Sequence, residues 1–307
     1  MAAKLVNKKM FTAYSSFSFL SDSGNFLLHL LYPKKVKSLT VIKEVNREGP
    51  YLGLLTVSTS EDSAFFATGA FQPHKTHPII DLSGRRLVGK IHDKKVLYVR
   101  CGVGMVNAAA ATQQMLDLFD VKGIVHFGVS GNVNDSLSIG DVVIPKQFAH
   151  TGIWDWLNLN GTSNLDHVAE LNFASYNVPK VRRNSTLEFG KPNIAQSLLW
   201  LQTSKHWLQL AANLEPKPVV GLRGATSNTF VDNAAYRNFL VKTFGVSSTD
   251  MESSAVTTSS NGFPVIALRG LSDLAGKQSG ENAYTKFGSL AAYNAAKAVV
   301  QFIKILK

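Results

Sequence analysis

The sequence predicts an α/β protein: a single domain with a mixed central β-sheet flanked by helices. Three observations lead there. From about residue 50 onward, short apolar runs of strand length alternate with alanine-rich or amphipathic stretches of helix length. The chain closes on an amphipathic helix, with Val299, Phe302, Ile303 and Leu306 at positions i, i+3, i+4 and i+7. Its 307 residues, 45% of them hydrophobic, are enough to bury one sizeable core. Residues 1–48 read as an N-terminal extension and 49–307 as the domain.

Tyr51 to Val57 (YLGLLTV) is the first buried strand, and Arg86–Ile91 with Lys95–Arg100 form a hairpin around His92-Asp93. Val103–Phe119 is an alanine-rich helix, followed by a strand over Lys122–Phe127 and another over Gly140–Gln147, where Pro145 marks a sheet edge or strand end. Residues 155–215 are polar, Asn-rich and irregular, with aromatics at Trp200 and Trp207, and read as an insertion or lid. Pro218–Leu222 resumes a strand and Asn233–Phe244 a helix. Ser253–Asn261 is a short buried helix, and Phe263–Leu268 is a strand after Gly262.

Charge and cysteine content exclude several classes. The net charge is +11, but residues 1–50 carry eight Lys/Arg against three Asp/Glu, and the remainder is spread rather than clustered. No basic stripe with interleaved aromatics exists for nucleic acid; only Arg182-Arg183 and Lys34-Lys35-x-Lys37 come near one. Cys101, the single cysteine, rules out an internal disulfide and any multi-cysteine metal site. His74-x-x-His77 lies between two prolines with no third ligand nearby, so no metal is expected. Phe26–Leu31 is too short to span a bilayer. It reads as part of an extension, and cytoplasmic and vacuolar or secreted locations both stay open.

The chemistry gathers around carboxyl groups. Asp250-Met251-Glu252 is followed twenty-one positions later by Ser272-Asp273, with a helix and a strand between. A carboxyl at the helix entrance and another just past the strand face one edge of the sheet, where open α/β sheets bind ligands. The plainer alternative is that Asp250 caps the helix and Asp273 a loop. Gly102-x-Gly104 follows a strand but lacks the third glycine of a dinucleotide site. Gly128-Val-Ser130-Gly131-Asn132 has asparagine where a nucleophile elbow needs its last glycine. Both turns offer small residues and backbone N–H groups suited to a sugar or an anion.

Taken in order, Gly102-x-Gly104, His126-Phe-Gly-Val-Ser-Gly131, Ile139-Gly-Asp-Val-Val-Ile144, Asp250-Met-Glu-Ser-Ser-Ala-Val256 and Leu268-Arg-Gly-Leu-Ser-Asp273 resemble the nucleoside phosphorylase superfamily. That superfamily contains methylthioadenosine nucleosidases and purine or uridine phosphorylases. Val45–Gly53, Thr151–Trp154, Val220–Gly224 and Phe230–Tyr236 look like its plant members related to bark and vegetative storage proteins. The resemblance runs from about residue 45 to the C-terminus and thins between 156 and 215.

This resemblance implies cleavage of the N-ribosidic bond of purine nucleosides, N6-substituted cytokinin ribosides among them, through an oxocarbenium-like ribose. Asp273 corresponds to the general acid at the purine N7, with Ser272 orienting it; burial would raise its pKa. Glu252 corresponds to the acceptor of ribose hydroxyls and Met251 to the methionine against the sugar. Phe230 matches the aromatic that stacks on the base, with Val231 offering backbone groups to its edge. Glu61 falls where nucleosidases keep a glutamate beside the nucleophilic water, and Ser130 and Gly131 line the sugar or anion side. Gly53, His126, Val129 and Arg223 are the candidates for phosphate.

The sequence departs from the bacterial type of phosphorylase by lacking an arginine in Thr56–Glu61 and by carrying His126 where a second phosphate-clamping arginine belongs. Water activated by Glu61 and phosphate held by His126 with Arg223 or a neighbouring subunit are both open. Phosphorolysis, with phosphate as co-substrate and no other cofactor, is the leading expectation. A catalytically weak storage protein is the alternative, and a homo-oligomer is expected.

Overall fold

The computed structural model describes residues 33–82, 84–156, 169–171, 178–179, 195–196, 199–260, 262–276 and 283–306. The chain divides into two compact units, Met1–Arg47 and Glu48–Lys307. In the first, α1 (Pro33–Arg47) is described; the Phe26–Leu31 run lies outside the described residues.

The second unit is built on a mixed sheet in which β1 (Tyr51–Thr56) runs parallel to both β5 (Lys94–Arg100) and β6 (Val121–Asn132). β6 in turn pairs in parallel with β17 (Val265–Leu274) and antiparallel with β16 (Ser248–Asp250). β4 (Gly84–Ile91) pairs antiparallel with β5 around His92, whose φ of 54° closes the hairpin. On the other side β15 (Arg223–Thr226) lies between β16 and β8 (Gln147–His150), parallel to both. The apolar runs of β1, β6 and β17 are buried along nearly their whole length, as strands covered on both faces must be.

The helices follow local signals. α2 (Thr59–Ala67) opens with a capping box: Ser58 Oγ accepts from Glu61 N, and Glu61 reaches back to Ser58 N. α3 (Met105–Leu118) starts from Gly104 at φ 96°, a left-handed turn glycine tolerates without cost. After α4 (Lys205–Ala211), α5 (Ala234–Phe244) is capped by Asn233 and ends on Gly245 at φ 60°. The short α6 (Ser253–Ser259) follows β16 directly. Val299, Phe302, Ile303 and Leu306 are all buried at the end of the chain, three of them on α7 (Ala283–Ile305), as the periodicity requires.

Four expectations are corrected. Gly128–Gly131 is not a turn but part of the twelve-residue β6. Its small residues are there because a Cβ on Gly128 would collide with Glu61 Oε1 and Arg269 Nη1. Asp273 lies inside β17 rather than past it, since the strand that starts with the apolar Val265–Leu268 continues, buried, through Arg269, Ser272 and Asp273. The strand expected over 140–147 breaks at Pro145-Lys146 into β7 (Val142–Ile144) and β8, because proline cannot donate to the ladder. The tail of the supposed insertion is core: β13 (Trp200–Gln202) pairs with β8, and α4 buries Trp207 and Ala211 against the same apolar cluster as Phe302. Much of 157–198 lies outside the described residues, apart from the antiparallel pairs β9 (Trp154–Trp156) with β10 (Ala169–Leu171) and β11 (Val178–Pro179) with β12 (Ala195–Gln196).

Candidate active site

A cleft enclosing about 780 Å³ of empty space, mouth included, opens at the carboxyl ends of β1, β6, β16 and β17. Its wall includes Glu61, Val129, Ser130, Gly131, Phe230, Val231, Met251, Glu252, Ser272 and Asp273. The residues predicted for catalysis and for sugar and base binding therefore meet in one cavity.

Its floor is a buried charge cluster centred on Arg269, which is fully inaccessible to solvent. Arg269 Nε donates to Asp250 Oδ2 at 3.1 Å and Nη1 to the Val129 carbonyl at 3.4 Å, while Nη2 lies 3.5 Å from Glu252 Oε2. Burial opposes the guanidinium charge, but Asp250, Glu252 and Glu61 outweigh it and hold its pKa above the ordinary value. Nothing in the sequence motif singled out Arg269 as functional; three carboxyl groups predicted for one cavity were the available signal, because buried charges need a partner.

Asp250 and Glu252 stand two residues apart and diverge in protonation. Asp250 Oδ1 accepts from Thr226 Oγ1 at 2.7 Å, Ser253 N at 3.0 Å and Glu252 N at 3.2 Å, besides the Arg269 contact. Burial raises its pKa, yet Arg269 and these donors prevail and leave it below the usual range. Asp250 thus caps the α6 entrance and anchors Arg269. Glu252 has the Gly104 N–H at 2.8 Å and a longer contact to Arg269, and there burial wins, pushing its carboxyl up to about 7. The Gly104 amide, expected to serve a ligand, is used by Glu252 instead.

Glu61 is buried and already well supplied with donors. Oε2 accepts from Ser58 N at 2.7 Å, Val57 N at 3.0 Å and Thr56 Oγ1 at 3.2 Å; Oε1 accepts from Val129 N at 2.8 Å. A carboxylate offers about two lone-pair directions per oxygen, so Oε1 is the atom with capacity for a further donor such as water.

At the opposite end, Ser272 Oγ lies 2.7 Å from Asp273 Oδ1 and 3.2 Å from the Ser130 carbonyl. Its one proton can go to the ionised Asp273, or to Ser130 while a protonated Asp273 donates to Ser272, so both protonation states have a partner. Burial raises the Asp273 pKa, the Ser272 hydrogen bond lowers it, and nearby Asp232 raises it further; the net shift is upward. Phe230 is half exposed on the cavity wall, edge-on to Tyr284 at 6.3 Å.

The candidates for phosphate do not converge. His126 is fully buried beneath the cavity: Nδ1–H donates to the Leu55 carbonyl at 3.0 Å, which leaves Nε2 to accept from Arg269 Nη2. Burial and the Arg269 charge push it down to about 3, so it is neutral at physiological pH. Arg223 is elsewhere, stacked over Trp200 at 4.8 Å and donating to the Phe244 carbonyl. Gly53 sits inside β1, where a Cβ would strike Met115 and Ile124. Of the four, Val129 alone lines the cleft, and its amide is taken by Glu61. Among the described residues no arginine, lysine or histidine lines the cavity, and no three His, Cys, Asp or Glu side chains converge as metal ligands.

A mixed α/β sheet with a carboxyl-lined cleft at the strand ends defines a class of small-molecule site. The comparisons make the class specific. The sequence profile described as the phosphorylase superfamily matches residues 54–304, and the chain belongs to that family. It is 29% identical over 281 residues to bark storage protein A of Populus deltoides, covering 82% of this chain and 88% of that one. It is 26% identical over 225 residues to a 5'-methylthioadenosine/S-adenosylhomocysteine nucleosidase of Listeria monocytogenes, covering 71% and 85%. In fold it is similar to futalosine hydrolase of Helicobacter pylori, with a TM-score of 0.65, 21% identity and coverage of 83% and 98%. The methylthioadenosine/S-adenosylhomocysteine nucleosidase of that organism, solved with butyl-thio-DADMe-Immucillin-A, gives the same TM-score and identity.

Proposed function

We propose that this chain cleaves the N-ribosidic bond of purine nucleosides and that its nucleophile is water. The observation that carries the reading is one cavity with Asp273 at one end, Glu252 at the other and no described cationic side chain on its wall. Asp273, whose pKa burial raises, donates a proton to the leaving base. Glu252, whose carboxyl burial raises to about 7, accepts ribose hydroxyls and, with Met251, faces the sugar as positive charge develops there. Glu61 Oε1 orients the attacking water. Phe230 covers the base, and Val231 offers it backbone groups.

Phosphate is the weaker nucleophile candidate here. A unit anion held about 4 Å from a carboxylate meets roughly 4 kcal/mol of repulsion at an effective dielectric constant near 20. Several carboxyl groups line this cleft, and the guanidinium beneath them is already matched. Phosphorolysis would need a cation from outside the described wall, such as a neighbouring copy in a homo-oligomer, which sedimentation would detect. The relationship to bark storage proteins supports a second reading, a storage protein that keeps the fold with little turnover.

One experiment separates these. Adenosine, methylthioadenosine and isopentenyladenosine are incubated with the protein, with and without phosphate, and free base is measured. Base release at the same rate in both buffers is expected. Release only with phosphate would replace water by phosphorolysis, and no release from any nucleoside would leave storage as the better account.

A further inference from the structure

Two residues of the cleft wall, Ser130 and Thr249, only 4% and 6% exposed, carry hydroxyls with no hydrogen-bond partner among the described residues. Buried hydroxyls are ordinarily satisfied, and an unpaired one weakens the fold. Ser130 lies in the stretch already assigned to the sugar side. Thr249 is different, because nothing in the reaction described so far uses it, and valine would fill the same space on a buried strand without an orphaned oxygen.

Its place in the sheet indicates what it faces. Thr249 pairs across β16 and β6 with Gly131, and β17 shifts register between Leu271 and Asp273 so that Asp273 also pairs with Gly131. A Cβ on Gly131 would lie 3.2 Å from Thr249 Cγ2 and 3.8 Å from Asp273 Oδ2. Thr249 and Asp273 therefore flank one glycine and line the same end of the cleft.

We propose that Thr249 is a base-reading residue, whose hydroxyl meets the substituent at carbon 6 of a purine while Asp273 meets its N7. This rests on the purine nucleoside reading above. The two ring positions are neighbours on one edge of the base, as the two side chains are neighbours around Gly131. A hydroxyl both donates and accepts, so it can serve a 6-amino or a 6-oxo group, whereas a purine bearing only hydrogen at carbon 6 leaves it orphaned. Sites built to pair a polar group discriminate against ligands that lack it.

The test is equilibrium binding of free adenine and of unsubstituted purine by calorimetry, which needs no turnover, with thermal melting of each variant. In Thr249→Val the adenine-to-purine affinity ratio falls about tenfold from the wild-type value, the size of one net hydrogen bond. The variant melts no lower than wild type, and Thr249→Ser restores the ratio. If Val packs badly and lowers the melting temperature, Thr249→Ala supplies the same measurement. A ratio within twofold of wild type in the hydroxyl-free variants overturns the proposal. Wild-type protein that binds neither base would overturn it together with the purine reading, whereas a changed nucleophile in the cleavage assay would leave it standing.

Discussion

The floor of the cleft and its Asp273 end handle buried polar groups in opposite ways. On the floor, Asp250, Arg269 and His126 satisfy one another: the aspartate has four donors, the guanidinium spreads over both carboxylates and a carbonyl, and the imidazole is fixed in one tautomer. At the other end Asp273 is buried with its pKa raised, and the Thr249 hydroxyl has no partner among the described residues. The difference separates the groups that fix the geometry of the cleft from those left to respond to what enters it. A satisfied network sets geometry, while groups left in an uncomfortable state are those whose energy changes when a substrate arrives.

The sharpest way to break this contrast is Arg269→Met. Removing one partner of a buried ion pair costs about 3–5 kcal/mol, because the remaining carboxylates stay buried without compensation. The urea midpoint should collapse, or the protein should not fold; a stability near wild type would mean the floor is not the structural half of the site.

Asp273→Asn should act the other way, with base release falling about 10²–10⁴-fold, the usual weight of a general acid. Its urea midpoint should stay near wild type, since the amide keeps the shape and removes a buried ionisable group. A variant that cleaves normally would show that the proton comes from elsewhere.

Glu252 stands between the two regions, and its pH dependence refines the comparison. Its carboxyl is raised from 4.5 to about 7 in the folded state, so between those values the native protein holds a proton that the unfolded chain has released. Stability from this group is therefore fully present below about 4.5 and is lost as pH rises through about 7, by roughly 3 kcal/mol in total. Glu252→Gln should flatten that part of the stability profile in urea titrations at pH 5 and pH 8. An unchanged slope would place Glu252 in the settled floor beside Asp250.

The sequence displayed the α/β class through the alternation of apolar runs and helical stretches, and the C-terminal helix through its spacing. It also brought forward Glu61, Phe230, Met251, Glu252 and Asp273, whose motifs occur in family order and whose side chains line the cleft. The misreadings share a cause. Gly128–Gly131 looked like a turn because glycine's local preference is for turns, whereas here small residues make room for Glu61 and Arg269 arriving from α2 and β17. His126 and Arg223 looked like phosphate ligands because residue type was visible and direction was not; one is buried against Arg269 and the other stacks on Trp200.

The sequence by itself determined which residue types were available and in what order, since periodicity, caps and motifs are local properties of a chain. Only the tertiary structure decided which of two carboxyls two residues apart would be held ionised and which would be poised near neutrality. It also decided that a histidine would be neutral and that a threonine hydroxyl would have no partner among the described residues. Each of these depends on burial and on donors brought from distant strands, which neighbours in sequence do not specify.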